Sequence, residues 1–148
     1  MTTVFLDSAP LSLLSHPRPV ETVVQWARAL TGLSIRIAIA EIADYEVRRE
    51  LLRAGRLDGL ARLDAIQLTT RFVPISTDAM RLAARLWADA SSVGRPTAPD
   101  AALDADVILA AQALSFAAEE LDDVIVATTN VGHLGRYVPA AHWTEIRG

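Results

Sequence analysis

Ile35 to Glu41 reads IRIAIAE, a short β-branched, apolar run that meets a carboxylate with no spacer. A run of this length and composition predicts a buried strand. The same pattern recurs on both sides of it. Upstream, Val4-Phe5-Leu6 runs straight into Asp7, and downstream Val124 to Ala127 (VIVA) ends in Thr128-Thr129-Asn130. The stretches between have helical periodicity, so the strands belong to a mainly parallel sheet with helices on both faces, a three-layer α/β/α fold. In such sheets functional groups collect just beyond the carboxyl ends of the strands. Asp7, Glu41 and the Thr128–Asn130 turn all fall there, and Asp104-Ala105-Asp106 opens the further apolar helix VILAAQAL.

The remaining elements follow from the same signals. A helical turn is expected over Leu11 to Leu14, ended by His16-Pro17-Arg18-Pro19, and an amphipathic helix over Val20 to Leu30. Glu41 to Ala54 forms a helix stopped by Gly55, and Leu57 to Leu68 another. Phe72 to Ile75 is a third strand, followed by a helix from Asp78 to Ser91 with Ser76 or Thr77 as its N-cap. Gly94 to Pro99 is the one evident loop, Asp123 to Thr128 the fourth strand, and Trp143 to Ile146 a short last strand. With 148 residues and no repeat or linker, the chain is expected to form one domain over residues 1–148.

Composition removes several chemistries. The chain has no cysteine, which excludes thiol nucleophiles, thiolate metal sites and disulfides. All 14 basic residues are arginine, so lysine Schiff bases and a phosphate-loop lysine are excluded as well. A net charge of −4 argues against a nonspecific nucleic-acid binder, although carboxylates that hold metal are counted in that figure. No secretory signal and no apolar run near ~20 residues is visible, which leads to the expectation of a cytoplasmic protein without a membrane segment.

Clustered acidic oxygens point to Mg²⁺ or Mn²⁺. Three carboxylates from separate strand ends can hold one ion or two, activate water and neutralise charge on a phosphodiester. Taken singly, each candidate has a plainer reading. Asp7 can form a turn, Ser8 can cap the turn after it, and Glu41 and Asp106 can be first-turn acids facing a helix dipole. Asp104 and Asp106 are two apart and point to nearly opposite sides of a helix, so only one can be a primary ligand. Asp104 suits the N-cap and Asp106 the metal, because small Ala110 and Ala113 on its face let the helix approach the sheet. Asn130 can orient a metal-bound water or form a simple turn, and Thr128 can brace a carboxylate. His133 can be a ligand, an acid/base group or a loop residue. Arg48 can contact substrate phosphate or pair with Asp44 at i,i+4.

The stretches VFLDSAPLSLL (from Val4), EIADYEVRREL (from Glu41), LDADVILAAQAL (from Leu103) and ATTNVGHL (from Ala127) together resemble a PIN-domain ribonuclease of the VapC toxin type over nearly the whole chain. The resemblance implies a PIN-like α/β/α fold and Mg²⁺- or Mn²⁺-dependent endonucleolytic cleavage of single-stranded RNA. It also implies a homodimer and a small cognate antitoxin that enters the active-site groove. The family's acids map to Asp7, Glu41 and Asp106. Its final motif often carries an Asp where this chain has His133, so Asp104 or Asn130 would have to complete a four-acid site. RNA target, cleavage site, number of ions and antitoxin type are not legible.

Two other nucleophile-Asp folds fail on particular residues. A haloacid-dehalogenase-like phosphatase needs a second Asp where this chain has Ala9, and it shares with a receiver domain the need for a lysine. The remaining alternative is a catalytically inactive PIN-like module that binds RNA or protein. Loss of the acids would signal it, and they are retained.

Overall fold

A computed structural model describes residues 1–92 and 100–147. Strand β1 (Thr2–Leu6) leads into α1 (Ser8–Ser15) and α2 (Glu21–Gly32), and β2 (Arg36–Ala40) into α3 (Glu41–Arg53) and α4 (Leu57–Thr69). β3 (Arg71–Val73) is followed by α5 (Thr77–Ser92) and α6 (Asp100–Glu120). β4 (Asp123–Thr128) continues through the one-turn α7 (Val131–Leu134) into β5 (Ala140–His142). The strands lie in the order β3-β2-β1-β4-β5 with every described pairing parallel.

A parallel sheet is covered on both faces, which is why these strands are apolar throughout rather than alternating. Val4 and Leu6 of β1 join Ile37 and Ile39 on one face, where Leu11, Leu14, Val23, Val47 and Leu63 of α1 to α4 pack on them. Phe5, Ala38, Ala40, Val124 and Val126 form the other face, under Leu109, Ala110, Ala113 and Phe116 of α6. Each fully buried Leu or Phe contributes about 1.5–3 kcal/mol, and Ala110 and Ala113 give α6 the close approach to the sheet that their size allows. α5 lies against α6, and its Leu86 also packs on the cluster under α6. It packs on α6 through Ala79 and Ala83 against Leu103, Val107 and Ala111.

Local chemistry sets the element ends. Gly55 adopts φ +66°, and the Gly55 and Arg56 amides fold back on Leu52 and Leu51 carbonyls at 3.1 and 2.9 Å, closing α3 and aiming α4. Ser76 Oγ accepts the Ala79 amide at 3.0 Å, so Ser76 is the cap of α5.

Two expectations are corrected. α6 begins at Asp100, which puts Asp104 in its second turn and not at the N-cap. The last strand is Ala140–His142, paired with Val126 to Thr128, while Trp143–Glu145 is a 3-10 turn. The reason is side-chain anchoring. Trp143 packs edge-on against Trp26 at 5.5 Å between ring centroids, and the Trp26 indole donates to the Ile146 carbonyl at 2.9 Å. The loop expected at Gly94 to Pro99 lies outside the described residues. Among the described residues no helix is long and apolar enough to cross a membrane.

Candidate active site

The strand order turns back at β1. The first two crossovers step from β1 to β2 to β3, whereas β4 returns to the other side of β1. A crevice opens between the carboxyl ends of two such strands, and Asp7 and Thr128 stand at that point. The Asp7 amide donates to the Ala127 carbonyl at 2.9 Å, which extends the β1–β4 ladder by one residue and fixes the Asp7 backbone beside β4.

The Asp7 carboxylate is held by neutral donors. Oδ1 accepts the Ser8 amide at 2.7 Å and Oδ2 accepts the Thr128 hydroxyl at 2.7 Å. Thr128 is buried, and its Oγ1 accepts the Asn130 amide at 2.8 Å, so its hydroxyl proton is directed at Asp7. Beyond it, Asn130 Nδ2 lies 2.8 Å from His133 Nδ1, which in turn stands 3.9 Å from Asp106 Oδ2. In this arrangement the amide donates and Nδ1 accepts, leaving the imidazole proton on Nε2. Asp106 reaches the crevice from the inward side of α6. Its carboxyl is pushed up to about 6, first by burial and then by the charge of Asp7, with His133 opposing.

The third carboxylate is Glu46, which the sequence reading passed over. It is pushed up to about 7 by burial, then by Asp7, with a further push from Asp106 and an opposing pull from Arg49. Arg49 stands 4.0 Å away, too loose for a firm ion pair. Glu41, expected as the second acid, follows β2 directly, but its Oε1 accepts the Ile75 amide at 2.9 Å and braces the β3–α5 connection. Five residues of helix advance about 7.5 Å and turn well over a full circle, so the two glutamates serve different places. A signal for Glu46 does exist in the sequence. It lies four residues after Ile42 and three after Ala43, on the same inward stripe as Val47. A carboxylate in that stripe has either a partner or a task.

The other expected residues divide. Ser8, Thr128, Asn130 and His133 are brought to the crevice. Asp104 is not: it is exposed and lines a separate groove between α5 and α6 with Met80, Trp87 and Val107. Arg48 is taken up by structure. Its guanidinium grips both oxygens of buried Asp44 at 3.0 and 3.1 Å and reaches Asp64 at 2.8 Å. The i,i+4 reading of Arg48 is the one found.

Among the described residues no three His, Asp or Glu side chains stand close enough to hold one ion between them. A hard dication needs only one or two carboxylates, with water and substrate oxygens completing its shell. The donor set fits that need: the charge of Asp7 presses on both Glu46 and Asp106 over distances longer than direct ligation, and added positive charge would relieve them.

No protein-family model matches the chain, and no curated protein matches it in sequence. Solved structures do match in fold. The chain is similar to one in VapBC2 from Rickettsia felis bound to a DNA fragment from their promoter, at 14% identity and TM-score 0.72, over 95% of this chain and 98% of that one. It is similar to one in FitAcB from Neisseria gonorrhoeae at 22% identity and TM-score 0.67, over 97% and 99%. A third is in VapBC-5 from Mycobacterium tuberculosis, a member of the VapBC family of toxin-antitoxin systems, at 20% identity and TM-score 0.55, over 99% and 98%. At these identities the likeness establishes architecture: the chain has the PIN-like fold, a five-stranded parallel sheet between helical layers.

Proposed function

We propose that this chain is a divalent-cation-dependent endoribonuclease that cleaves single-stranded RNA phosphodiesters, acting in the cytoplasm as the toxin of a toxin–antitoxin pair. The observation that carries the reading is the group Asp7, Glu46 and Asp106: carboxylates from three elements at one crevice, where burial and the charge of Asp7 raise the proton affinity of both Glu46 and Asp106. Keeping such a cluster costs stability, and a chain that needed only to bind RNA or protein would gain by losing it.

Asp7 and Asp106, with Glu46 beside them, would hold Mg²⁺ or Mn²⁺. When bound, the ion supplies an activated water and neutralises charge building on the phosphodiester. Thr128 keeps Asp7 oriented by directing its hydroxyl at Oδ2. Glu46, whose carboxyl is pushed up to about 7 in the metal-free protein by burial and then by Asp7, stands where it can accept a proton at its carboxylate oxygens. Asn130 and His133 restrain the Asp106 side of the mouth.

The toxin assignment draws on the whole-chain likeness to structures of VapBC and FitAcB. An acidic crevice is blocked most directly by a cation, so the antitoxin should present an arginine or lysine to these carboxylates. A homodimer is part of the same reading. The deciding experiment incubates purified protein with labelled single-stranded RNA. Internal cleavage that requires Mn²⁺ or Mg²⁺, and stops with chelator, is expected; RNA binding without cleavage under any divalent ion would sink the enzyme reading. For the toxin role, expression alone should arrest growth and co-expression with a small neighbouring gene should relieve it.

A further inference from the structure

Beside the carboxylates, α3 carries an arginine that no acid holds firmly and an aromatic ring that no core covers. Tyr45 is 55% exposed, and the Arg49 guanidinium lies 5.1 Å from its ring centroid. The two are one helical turn apart, which puts them on the same face. Arg49 also stands 4.0 Å from Glu46, so a single guanidinium joins the acidic crevice to the exposed ring. Its neighbours are used differently: Arg48 is clamped by Asp44 and Asp64, and Arg53 is held by Glu50. From Glu46 and Ser8 a groove of about 510 Å³ continues between α1 and α3, with Ser12, Arg49 and Arg53 on its walls.

We propose that Arg49 and Tyr45 receive the RNA strand next to the cleavage point, with Arg49 taking a phosphate and Tyr45 stacking one base. The inference rests on the ribonuclease reading and adds where the strand lies. Its logic begins with charge. A polyanion approaching three carboxylates on a chain of net charge −4 is repelled unless a cation stands at the mouth. Arg49 stands there, and its fork matches two phosphate oxygens better than the loose contact with Glu46 that it now has. Single-strand binders join such a cation to an aromatic face because stacking accepts any base. An exposed tyrosine adjoining that arginine supplies the second half. The groove along α1 and α3 gives the backbone a path, with serine hydroxyls and Arg53 on its walls.

The test measures binding of a fluorescein-labelled single-stranded RNA in EDTA, where cleavage is stopped, and steady-state cleavage in Mn²⁺. Tyr45→Ala should raise Kd and KM about tenfold, in the range of one lost stack, with a much smaller change in kcat, and Tyr45→Phe should restore both. Arg49→Ala should weaken binding comparably and lower the slope of log affinity against log salt by about one. A wild type that cleaves RNA while both alanine variants keep its Kd and KM would overturn the landing and leave the ribonuclease reading standing. Weakened binding by both variants of a protein that never cleaves would support the landing and sink the ribonuclease. Unchanged RNA affinity with lost self-association or lost antitoxin binding would assign the ring to a protein contact and overturn the proposal. A wild type that neither binds nor cleaves RNA overturns both.

Discussion

Asp44 and Asp106 are both largely buried acids on helices over the same sheet, and the molecule treats them in opposite ways. Asp44 has a partner for each oxygen: Arg48 grips both, Gln67 donates to Oδ2 at 2.6 Å, and Arg48 reaches on to Asp64, tying α3 to α4. Asp106 has a histidine at 3.9 Å and the charge of Asp7 pressing on it. Burial of a charge is tolerated when it is paired and hydrogen-bonded, and is costly otherwise. Arginine was available to pair acids, because this chain pairs Asp122 with Arg36 at 2.7 Å and Glu120 with Arg71 at 2.9 Å. The crevice is left with surplus negative charge. Matched acids hold the fold together; in the function proposed above, the unmatched ones serve a ligand that brings positive charge.

The largest effect should come from deleting the unmatched acids. Asp7→Ala, Glu46→Ala and Asp106→Ala should each lower RNA cleavage by about 10²–10⁴-fold, the range for groups acting directly on the reacting atoms, while circular dichroism shows an unchanged fold. Glu41→Ala sharpens the comparison. Its carboxylate holds the Ile75 amide, so it should cost stability through the β3–α5 turn and leave most activity. If Glu41→Ala abolished cleavage while Glu46→Ala spared it, the assignment of the second acid here would be wrong.

Breaking the matched cluster should move stability instead. Asp44→Ala leaves Arg48 and Gln67 without their partner, and loss of one member of a mostly buried pair costs about 3–5 kcal/mol. The thermal midpoint should fall by roughly 10 °C for a chain of this size. Asp106→Asn, by contrast, relieves repulsion and should hold or raise the midpoint in the absence of metal. A destabilised Asp106→Asn together with a neutral Asp44→Ala would erase the distinction between the two acids.

Much of the fold was legible because its strands are short apolar runs that stop on polar residues, and buried parallel strands must read so. Asp7 and Thr128 were legible for the same reason, being fixed by strand ends. Glu46 was not, because its placement depends on helical phase. β2 passes into α3 without a loop, so the residue adjoining the strand reaches the Ile75 amide beyond β3, and the acid on the inward stripe, five residues later, lies on a different side of the helix. The identity of the last strand was hidden too. Trp143 and Ile146 have strand-like side chains, but the tertiary contact with Trp26 decides their conformation. Arg48 had two open readings at equal cost, and the position of α4, which brings Asp64 to Arg48 and Gln67 to Asp44, is what builds the structural pairing.

A smaller effect follows from pH. Glu46 and Asp106 have folded-state values of about 7 and about 6, raised above the ordinary carboxylate range. Between about pH 4 and 7 the folded protein therefore binds more protons than the unfolded chain, and its stability falls as pH rises through that window. Metal-free protein should be less stable at pH 8 than at pH 5.5 by about 1–2 kcal/mol from this source. Glu46→Gln should flatten the slope. A dication competes with those protons, so Mn²⁺ should raise the thermal midpoint at pH 8 and do little at pH 5. A midpoint raised equally at both pH values would mean that the ion binds elsewhere.

The smallest expected change concerns His133. Its Nδ1 accepts from Asn130 and stands beside Asp106, so the imidazole borders the crevice without contributing a negative charge. Were Asn130 to release Nδ1, a nitrogen donor at that border would suit Mn²⁺ better than hard Mg²⁺. His133→Asp replaces it with hard oxygens and adds a fourth acid to a group that is already repelling. In the metal-free state the variant should melt slightly lower than the wild type, and Mg²⁺ should restore the difference. Half-saturation for Mg²⁺ should fall relative to Mn²⁺, measured by titrating cleavage rate with each ion. His133→Ala separates ligand from spacer: it should leave the Mg²⁺ titration near the wild-type curve and weaken that for Mn²⁺. Were all three proteins to share one ratio of Mn²⁺ to Mg²⁺ half-saturation, His133 would act only by holding Asn130, and the metal preference would be set by the carboxylates alone.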